Sequence, residues 1–270
     1  MNLSTRARWL AAAVVLAALI GVSAGPVAAE SSSGVTAAAK PSGTITVSAA
    51  ASLTEAFTTI GKLFQKKYKG TTVTFNFGSS GALELQIAQG APADVFASAD
   101  TDNMTKLQTA GKATPPAPIF ARNRLVIVTK KGNPDKIKTI QDLANVQTLS
   151  LCALTVPCGK YAAQMFQTQG VTIPESKVTR GQDVKTTLAA VSPGDADAAV
   201  VYVSDDKTAG NTVTSVKIPD NVNVIALYPI SELNGSSNLT TAKAFVNYVL
   251  SKPAQVVLLK DGFMPPPGKS

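Results

Sequence analysis

The sequence contains no histidine, and this absence removes both the commonest general base and the commonest side-chain ligand for transition metals. A hydrolase that depends on an imidazole and a zinc enzyme are therefore disfavoured from the start. Carboxylate and lysine chemistry stays open. Tryptophan is also scarce, since Trp9 is the only one and it lies near the N-terminus.

Long basic runs interleaved with aromatic residues are missing as well. The 270-residue chain carries a formal net charge of +8, but its basic residues are scattered in short groups such as 66–69 and 130–131. Groups of this size are typical of solvated faces. The pattern therefore gives little support to a nucleic-acid partner, and we expect none.

Residues 1–29 have the features of a secretory signal peptide. Arg6 and Arg8 supply the positive end, and the apolar run Leu10 to Val22 is short for a membrane span. Small residues then lead to a cleavage site after about Ala29, with a second possible site after Ala24. We expect an exported protein, periplasmic or at the cell envelope or outside it, and an uncleaved anchor is the alternative.

Residues 30–42 are rich in serine, alanine and glycine and predict a flexible leader. From Thr44 onward, apolar strand patterns alternate with helical ones. The helix predicted from Ser52 to Lys67 carries an apolar face that includes Phe57 and Phe64 at helical spacing. This alternation predicts an α/β fold with largely parallel sheets.

Two predicted strands end in serines that stand at helix starts. The strand Ile45 to Ala49 leads to Ser52, which with Glu55 fits a capping box, and a second strand leads to Ser80 in the turn 78–81. Helix starts carry unpaired amides and a partial positive charge, which suit an anion. We therefore predict that Ser52 and Ser80 line one small anion site.

Three more strand ends carry suitable groups, namely the turn 156–159, the turn Asp183-Val184 and Tyr202. Pro157 in the first of these turns predicts the first turn of a helix that runs to Gln169. Together the five turns offer hydroxyls and main-chain amides with almost no formal charge. Such a donor set suits a fully ionised oxyanion, which only accepts hydrogen bonds. Plainer interpretations stay open: Ser52 and Asp183 as helix caps, the Ser80 turn as a tight loop, and Tyr202 as a half-buried core residue.

Several motifs resemble the molybdate-binding protein family, the periplasmic or extracellular receptors of molybdate ABC importers. The longest are Ala49-Ala50-Ala51-Ser52-Leu53, Gly78-Ser79-Ser80-Gly81-Ala82-Leu83 and Gln89-Gly90-Ala91-Pro92-Ala93-Asp94-Val95-Phe96. Shorter matches follow in the same order at Asn123-Arg124-Leu125-Val126, Val200-Val201-Tyr202 and Gly262-Phe263. The resemblance covers roughly residues 43–268.

The resemblance implies a ligand set. The hydroxyl and amide of Ser52 and of Ser80, the main-chain amides of Cys158 and Val184, and the hydroxyl of Tyr202 would bind molybdate or tungstate. Molybdenum would be held as the oxyanion, with no direct bond from protein to metal, no further cofactor and no catalytic residue. This sequence departs from the family at Cys158, a position where family members often have alanine. The change is tolerated because the main-chain amide, and not the side chain, would bind the ligand.

The resemblance also implies a type II periplasmic-binding-protein fold, with two α/β lobes and the ligand in the cleft between them. The first lobe would take residues 43–124 and 226–270, and the second residues 125–225. Closure would be a hinge motion about the two crossings. The expected partners are the oxyanion and the membrane permease of an ABC importer, and the receptor itself is expected to be a monomer.

The two cysteines are Cys152 and Cys158. Because the chain looks exported, we predict a disulfide between them, which would rigidify the turn that offers the Cys158 amide. The alternatives are a free buried pair or a redox centre. The spacing is not Cys-X-X-Cys, which makes the redox centre the weaker of these.

Two alternative functions remain. One is a receptor for sulfate or another tetrahedral oxyanion, with phosphate disfavoured because it keeps a proton near neutral pH. The other is an α/β enzyme that uses Asp94, Asp100 or Asp183. No partner base or nucleophile elbow accompanies these residues, and Asp94 is better explained as a structural residue at a strand start. We therefore expect a binding protein and no enzyme.

Overall fold

The computed structural model describes residues 39–268. The expected signal peptide, residues 1–29, lies outside the described residues, and so does most of the leader. The end of the leader is anchored, because the Ser42 amide donates to the Thr241 hydroxyl at 3.0 Å and its carbonyl accepts from the same hydroxyl at 2.8 Å. Within residues 39–268, no helix combines the length and apolarity needed to cross a membrane.

Strands and helices alternate along most of the described chain. The strands are β1 (Gly43–Ala50), β2 (Thr71–Gly78), β3 (Val95–Ala97), β4 (Ile119–Lys130), β5 (Leu149–Cys152), β6 (Val178–Gly181), β7 (Ala198–Tyr202), β8 (Val213–Lys217) and β9 (Ile225–Glu232). The α-helices are α1 (Thr54–Lys67), α2 (Ser80–Ala88), α3 (Thr101–Thr109), α4 (Pro157–Thr168), α5 (Val184–Ala189), α6 (Val203–Ala209), α7 (Leu239–Val249) and α8 (Lys252–Lys260). The predicted α/β alternation is thus confirmed.

The described strands form one mixed sheet in the order β2-β1-β3-β9-β4-β7-β5-β6, with β8 paired to β4. The pairs β1–β2, β1–β3, β5–β6 and β5–β7 are parallel. The strands β4 and β9 run antiparallel to their partners. The sheet is therefore less parallel than the sequence pattern suggested, because two long strands cross back through its middle.

Strand β4 divides the sheet into two regions. Its first part pairs with β9 as far as Arg124 opposite Ile225, and its second part pairs with β7 from Leu125 opposite Tyr202. The first sheet region is defined as β1, β2, β3, β9 and the first part of β4; the second sheet region is β5 to β8 and the rest of β4. The Asn223 side chain binds both the amide and the carbonyl of Leu125, at 2.9 and 2.7 Å. The two chain crossings are thereby tied together.

The predicted apolar face of α1 is confirmed, since Ala56, Phe57, Ile60 and Phe64 are all buried. Phe57 packs against Phe120 of β4 and Phe245 of α7, with ring centroids 5.6 and 6.0 Å apart. Burying a side chain of this size stabilises the fold by about 1.5–3 kcal/mol. This packing fixes the position of the turn between β1 and α1.

Candidate functional site

Five turns meet at one small pocket between the two sheet regions. The first sheet region contributes the ends of β1 and β2, and the second contributes the starts of α4 and α5 and the end of β7. The pocket-lining residues include Ser52, Ser80, Cys158, Val184 and Tyr202, together with Ser79, Ala99, Pro157 and Asp183. The structure therefore brings all five predicted site residues together.

The Ser52 side chain does not cap a helix, so the predicted capping box with Glu55 is wrong. A 3-10 turn, Ala51–Leu53, separates β1 from α1, and the helix begins at Thr54 without a side-chain cap. The Ser52 hydroxyl lies 2.9 Å from the hydroxyl of Tyr228, and Ser52 is only 3% exposed. The Glu55 carboxylate instead binds Lys185.

Two neighbouring serines at the start of α2 have different roles. Ser79 is the N-cap, and its side chain accepts a hydrogen bond from the Ala82 amide at 3.3 Å. Ser80 is the first helical residue, and its hydroxyl oxygen accepts from the Ala99 amide at 2.9 Å. The helix thus starts two residues earlier than predicted, and the Ser80 proton is left free to donate.

The amides of Cys158 and Val184 both belong to first helical turns. Pro157 opens α4, as predicted, so Cys158 is its second residue. Val184 opens α5 behind Asp183, whose side chain accepts from the Thr186 amide at 2.8 Å, which confirms Asp183 as a cap. Amides at these positions have no acceptor within their own helix. They are available to a ligand.

The predicted disulfide between Cys152 and Cys158 is confirmed, with the two Cα atoms 5.8 Å apart. It joins the end of β5 to the first turn of α4, and both cysteines are buried. Gly159 follows, and a Cβ there would collide with the carbonyl oxygens of Ala153 and Cys152. The close approach of the β5–α4 turn to the helix therefore requires glycine at this position.

Tyr202 ends β7 and is 1% exposed. Its hydroxyl oxygen has no hydrogen-bond partner in the part of the chain that the structure describes. Burial, and then the nearby Tyr228, raise the pKa of Tyr202 well above its ordinary value, so the group is a neutral donor at physiological pH. A buried hydroxyl without a partner costs about 1–3 kcal/mol. This arrangement points to a ligand that accepts its proton.

Formal charges near the pocket are largely neutralised. Lys160 pairs with Asp100 at 2.9 Å on one flank, and Lys185 pairs with Glu55 at 2.8 Å on the other. Burial by itself lowers the pKa of Lys185, but Asp205 and Glu55 outweigh it, so the net shift is upward. Both ion pairs connect the two sheet regions. Apart from the Asp183 carboxylate, which caps α5, the pocket is thus lined by uncharged residues, and the two ion pairs lie on its flanks.

The aspartates considered for an enzyme have structural partners. The Asp94 carboxylate accepts from the Thr46 amide at 2.7 Å and from the Ser236 hydroxyl at 2.6 Å, which supports its structural interpretation. Asp100 caps α3 through the Asn103 amide, and Asp183 caps α5. Among the described residues, no group of three or more His, Cys, Asp or Glu side chains could hold a metal ion.

Tyr228, which contacts the pocket-lining Ser52, was not predicted from the sequence. It lies on β9, is fully buried and contacts Ser52 across 176 positions of sequence. Its immediate neighbours form an apolar strand pattern, in which a tyrosine is unremarkable. No local signal distinguishes it, because its role depends on the pairing of β9 with β4.

The mixed sheet, its flanking helices and the pocket between two sheet regions define the α/β periplasmic-binding-protein fold. The family described as bacterial extracellular solute-binding protein matches residues 45–264. The molybdate-binding protein ModA of Mycobacterium tuberculosis H37Rv is 36% identical over 263 residues, which cover 96% of this chain and 100% of that protein. ModA of Escherichia coli K12 is 34% identical, with 82% and 89% covered. The chain belongs to the bacterial extracellular solute-binding protein family.

Solved structures agree with this assignment. The substrate-binding domain of a putative molybdenum ABC transporter from Clostridium difficile is 30% identical with a TM-score of 0.64, covering 83% of this chain and 99% of that chain. The periplasmic molybdate-binding protein of Azotobacter vinelandii has a TM-score of 0.75 at 21% identity, with 82% and 99% covered. The sulfate-binding protein SubI of M. tuberculosis H37Rv has a TM-score of 0.74 at 21% identity, with 82% and 86% covered. The last two similarities show the fold.

Proposed function

We propose that this protein is the substrate-binding receptor of an ABC importer and that its ligand is molybdate, with tungstate as a second ligand. The observation that carries the proposal is the buried Tyr202 hydroxyl, which lacks a partner among the described residues and lines the pocket beside Ser52, Ser80, Cys158 and Val184. The molybdate-binding relatives supply the identity of the anion.

The chemistry of the pocket supports an anion with two full charges and no proton. Tyr202 keeps its proton at physiological pH and can donate it, and the Ser80 oxygen accepts from the Ala99 amide, which leaves the Ser80 proton free to donate. Hydrogen bonds from neutral donors to a charged acceptor contribute about 1.5–3 kcal/mol each. Molybdate, tungstate and sulfate meet this requirement. Hydrogen phosphate carries a proton that needs an acceptor.

The two sheet regions correspond in this proposal to two lobes, residues 43–124 with 226–270 and residues 125–225. The hinge would lie where β4 passes from one region to the other and where Asn223 binds Leu125. Closing the lobes would bring the donors of both regions onto the anion. Exclusion of water would then strengthen each hydrogen bond.

The biological setting follows from the family and from the sequence. The receptor would be exported by its N-terminal signal and processed after about Ala29. It would work as a monomer and deliver the oxyanion to a membrane permease. Binding and release are its whole task, and no catalytic step or further cofactor is part of the proposal.

Isothermal titration calorimetry on the ligand-stripped mature chain tests the proposal. We expect tight one-to-one binding of molybdate and tungstate and little heat from sulfate or hydrogen phosphate. Ser52→Ala should weaken molybdate binding by about 5- to 150-fold, as for loss of a buried donor to a charged acceptor. The matched control is Ser237→Ala, because Ser237 is exposed and outside the pocket.

Three outcomes of this titration differ in meaning. Tight binding of sulfate in place of molybdate would keep the site and change the substrate. Equal loss of affinity in Ser52→Ala and Ser237→Ala would show that the effect does not come from the pocket. No heat with any of the four anions would contradict the receptor function.

A further inference from the structure

The serine hydroxyls that line the pocket differ in their hydrogen-bond partners within the protein. The Ser80 oxygen accepts from a main-chain amide, that of Ala99, at 2.9 Å. The Ser52 oxygen instead lies 2.9 Å from the hydroxyl of Tyr228, and either atom can be the donor. Tyr228 is fully buried and does not line the pocket. The direction of this one hydrogen bond decides what Ser52 offers to a ligand.

The direction matters because each hydroxyl has a single proton. If Ser52 donates to Tyr228, only oxygen lone pairs of Ser52 face the pocket, and these repel an anion. If Tyr228 donates to Ser52, the Ser52 proton is free to point into the pocket. Ser52 is thus a donor or an acceptor for the ligand, depending on which way its hydrogen bond with Tyr228 runs.

The partners of the two hydroxyls favour the second arrangement. In the part of the chain that the structure describes, the Tyr228 hydroxyl has no hydrogen-bond partner besides Ser52. Ser52 lines the pocket and can donate to a ligand there, whereas Tyr228 does not line it. With an anion bound, both hydroxyl protons have an acceptor only if Tyr228 donates to Ser52 and Ser52 donates to the anion.

We infer that Tyr228 is a positioning residue that donates to Ser52 and so holds Ser52 as a proton donor to the oxyanion. The inference rests on the proposed oxyanion function. With it, Ser52, Ser80 and Tyr202 all present protons to the ligand.

Tyr228→Phe tests the inference, because it removes the hydroxyl and keeps the ring. Titration calorimetry should show molybdate affinity lower by about 3- to 15-fold, as for loss of one neutral hydrogen bond. Without Tyr228, the Ser52 hydroxyl can rotate and turn a lone pair toward the pocket. The ratio of molybdate affinity to hydrogen phosphate affinity should therefore fall, which a general loosening of the pocket would not produce.

A double-mutant cycle separates positioning from simple structural support. In a Ser52→Ala background, Tyr228→Phe should change molybdate affinity less than about twofold, because the group it acts through is gone. Tyr248→Phe is the matched control, since Tyr248 is a buried tyrosine on α7 outside the pocket. It should leave affinity unchanged.

The result that overturns the inference is an equal loss of affinity from Tyr228→Phe in both backgrounds, or no loss in either. If Tyr228→Phe does not fold, Tyr228→Met replaces it, because methionine also lacks the hydroxyl and adapts to irregular core space. Its loss of affinity should again vanish in the Ser52→Ala background. Wild-type protein that binds no molybdate would contradict the proposed function itself. If the wild type binds molybdate but the effects of Tyr228→Phe and Ser52→Ala are additive, only the positioning role is contradicted.

Discussion

Replacing Tyr202 by phenylalanine should have opposite effects on stability and on binding. The substitution removes one hydroxyl and keeps the ring, which packs near Tyr228 with centroids 6.0 Å apart. In the ligand-free protein that hydroxyl is buried and has no hydrogen-bond partner among residues 39–268. The wild-type fold therefore carries a desolvation cost that the variant lacks.

The magnitudes follow from the environment of the hydroxyl. An unsatisfied buried polar group costs about 1–3 kcal/mol, so the ligand-free Tyr202→Phe variant should be more stable to unfolding by about 1 kcal/mol or more. A hydrogen bond to a charged acceptor contributes about 1.5–3 kcal/mol, so molybdate affinity should fall by about 10- to 150-fold. A gain in stability together with a loss of affinity is the result expected when a side chain serves ligand binding and not the stability of the fold.

Urea unfolding without ligand and titration calorimetry with molybdate measure the two effects on the same protein. Tyr248→Phe is the control, since it removes the hydroxyl of another tyrosine, one that does not line the pocket, and should not change affinity. Lower stability combined with unchanged affinity in Tyr202→Phe would refute the reasoning. That result would mean that Tyr202 is a core residue and that the pocket does not use its proton.

Three further predictions concern the rest of the site. Ser80→Ala should weaken molybdate binding by calorimetry about 5- to 150-fold, and Ser237→Ala should not. Replacing Cys152 and Cys158 together by alanine should lower the free energy of unfolding in urea by about 2 kcal/mol, the low end expected for a short loop, and weaken binding; unchanged affinity would show that the disulfide does not hold the Cys158 amide. Burial raises the pKa of Asp205 from 3.8 to about 6. The wild type should therefore lose about 2 kcal/mol of stability relative to Asp205→Asn as pH rises from 4 to 6, and a constant difference across that range would contradict the shift.

Local rules predicted much of the site. Asp183 caps α5 and Pro157 opens α4 because capping and first-turn preferences depend on a few adjacent residues. Tyr202 falls at a strand end because the apolar run before it is long enough to define β7. These features, together with the family resemblance, were enough to predict five residues that the structure brings together at one pocket.

The features that sequence analysis missed depend on distant contacts. The capping box at Ser52 has the right local spacing, but the Ser52 side chain contacts Tyr228 across 176 residues instead. Ser79 and Ser80 are adjacent and chemically alike. Only the contact of Ser80 with the Ala99 amide distinguishes it from Ser79, which is the helix cap. The antiparallel course of β9 through the sheet likewise depends on its pairing with β3 and β4.

The central claim is that neutral donors from five turns hold molybdate as an intact oxyanion. A crystal structure of the mature chain with molybdate, with the metal located by its anomalous scattering, tests this claim most directly. We predict one molybdenum position in the pocket, with its oxygens about 2.7–3.2 Å from the donors of Ser52, Ser80, Cys158, Val184 and Tyr202. A molybdenum position elsewhere, or one bonded directly to a protein atom, would contradict the account.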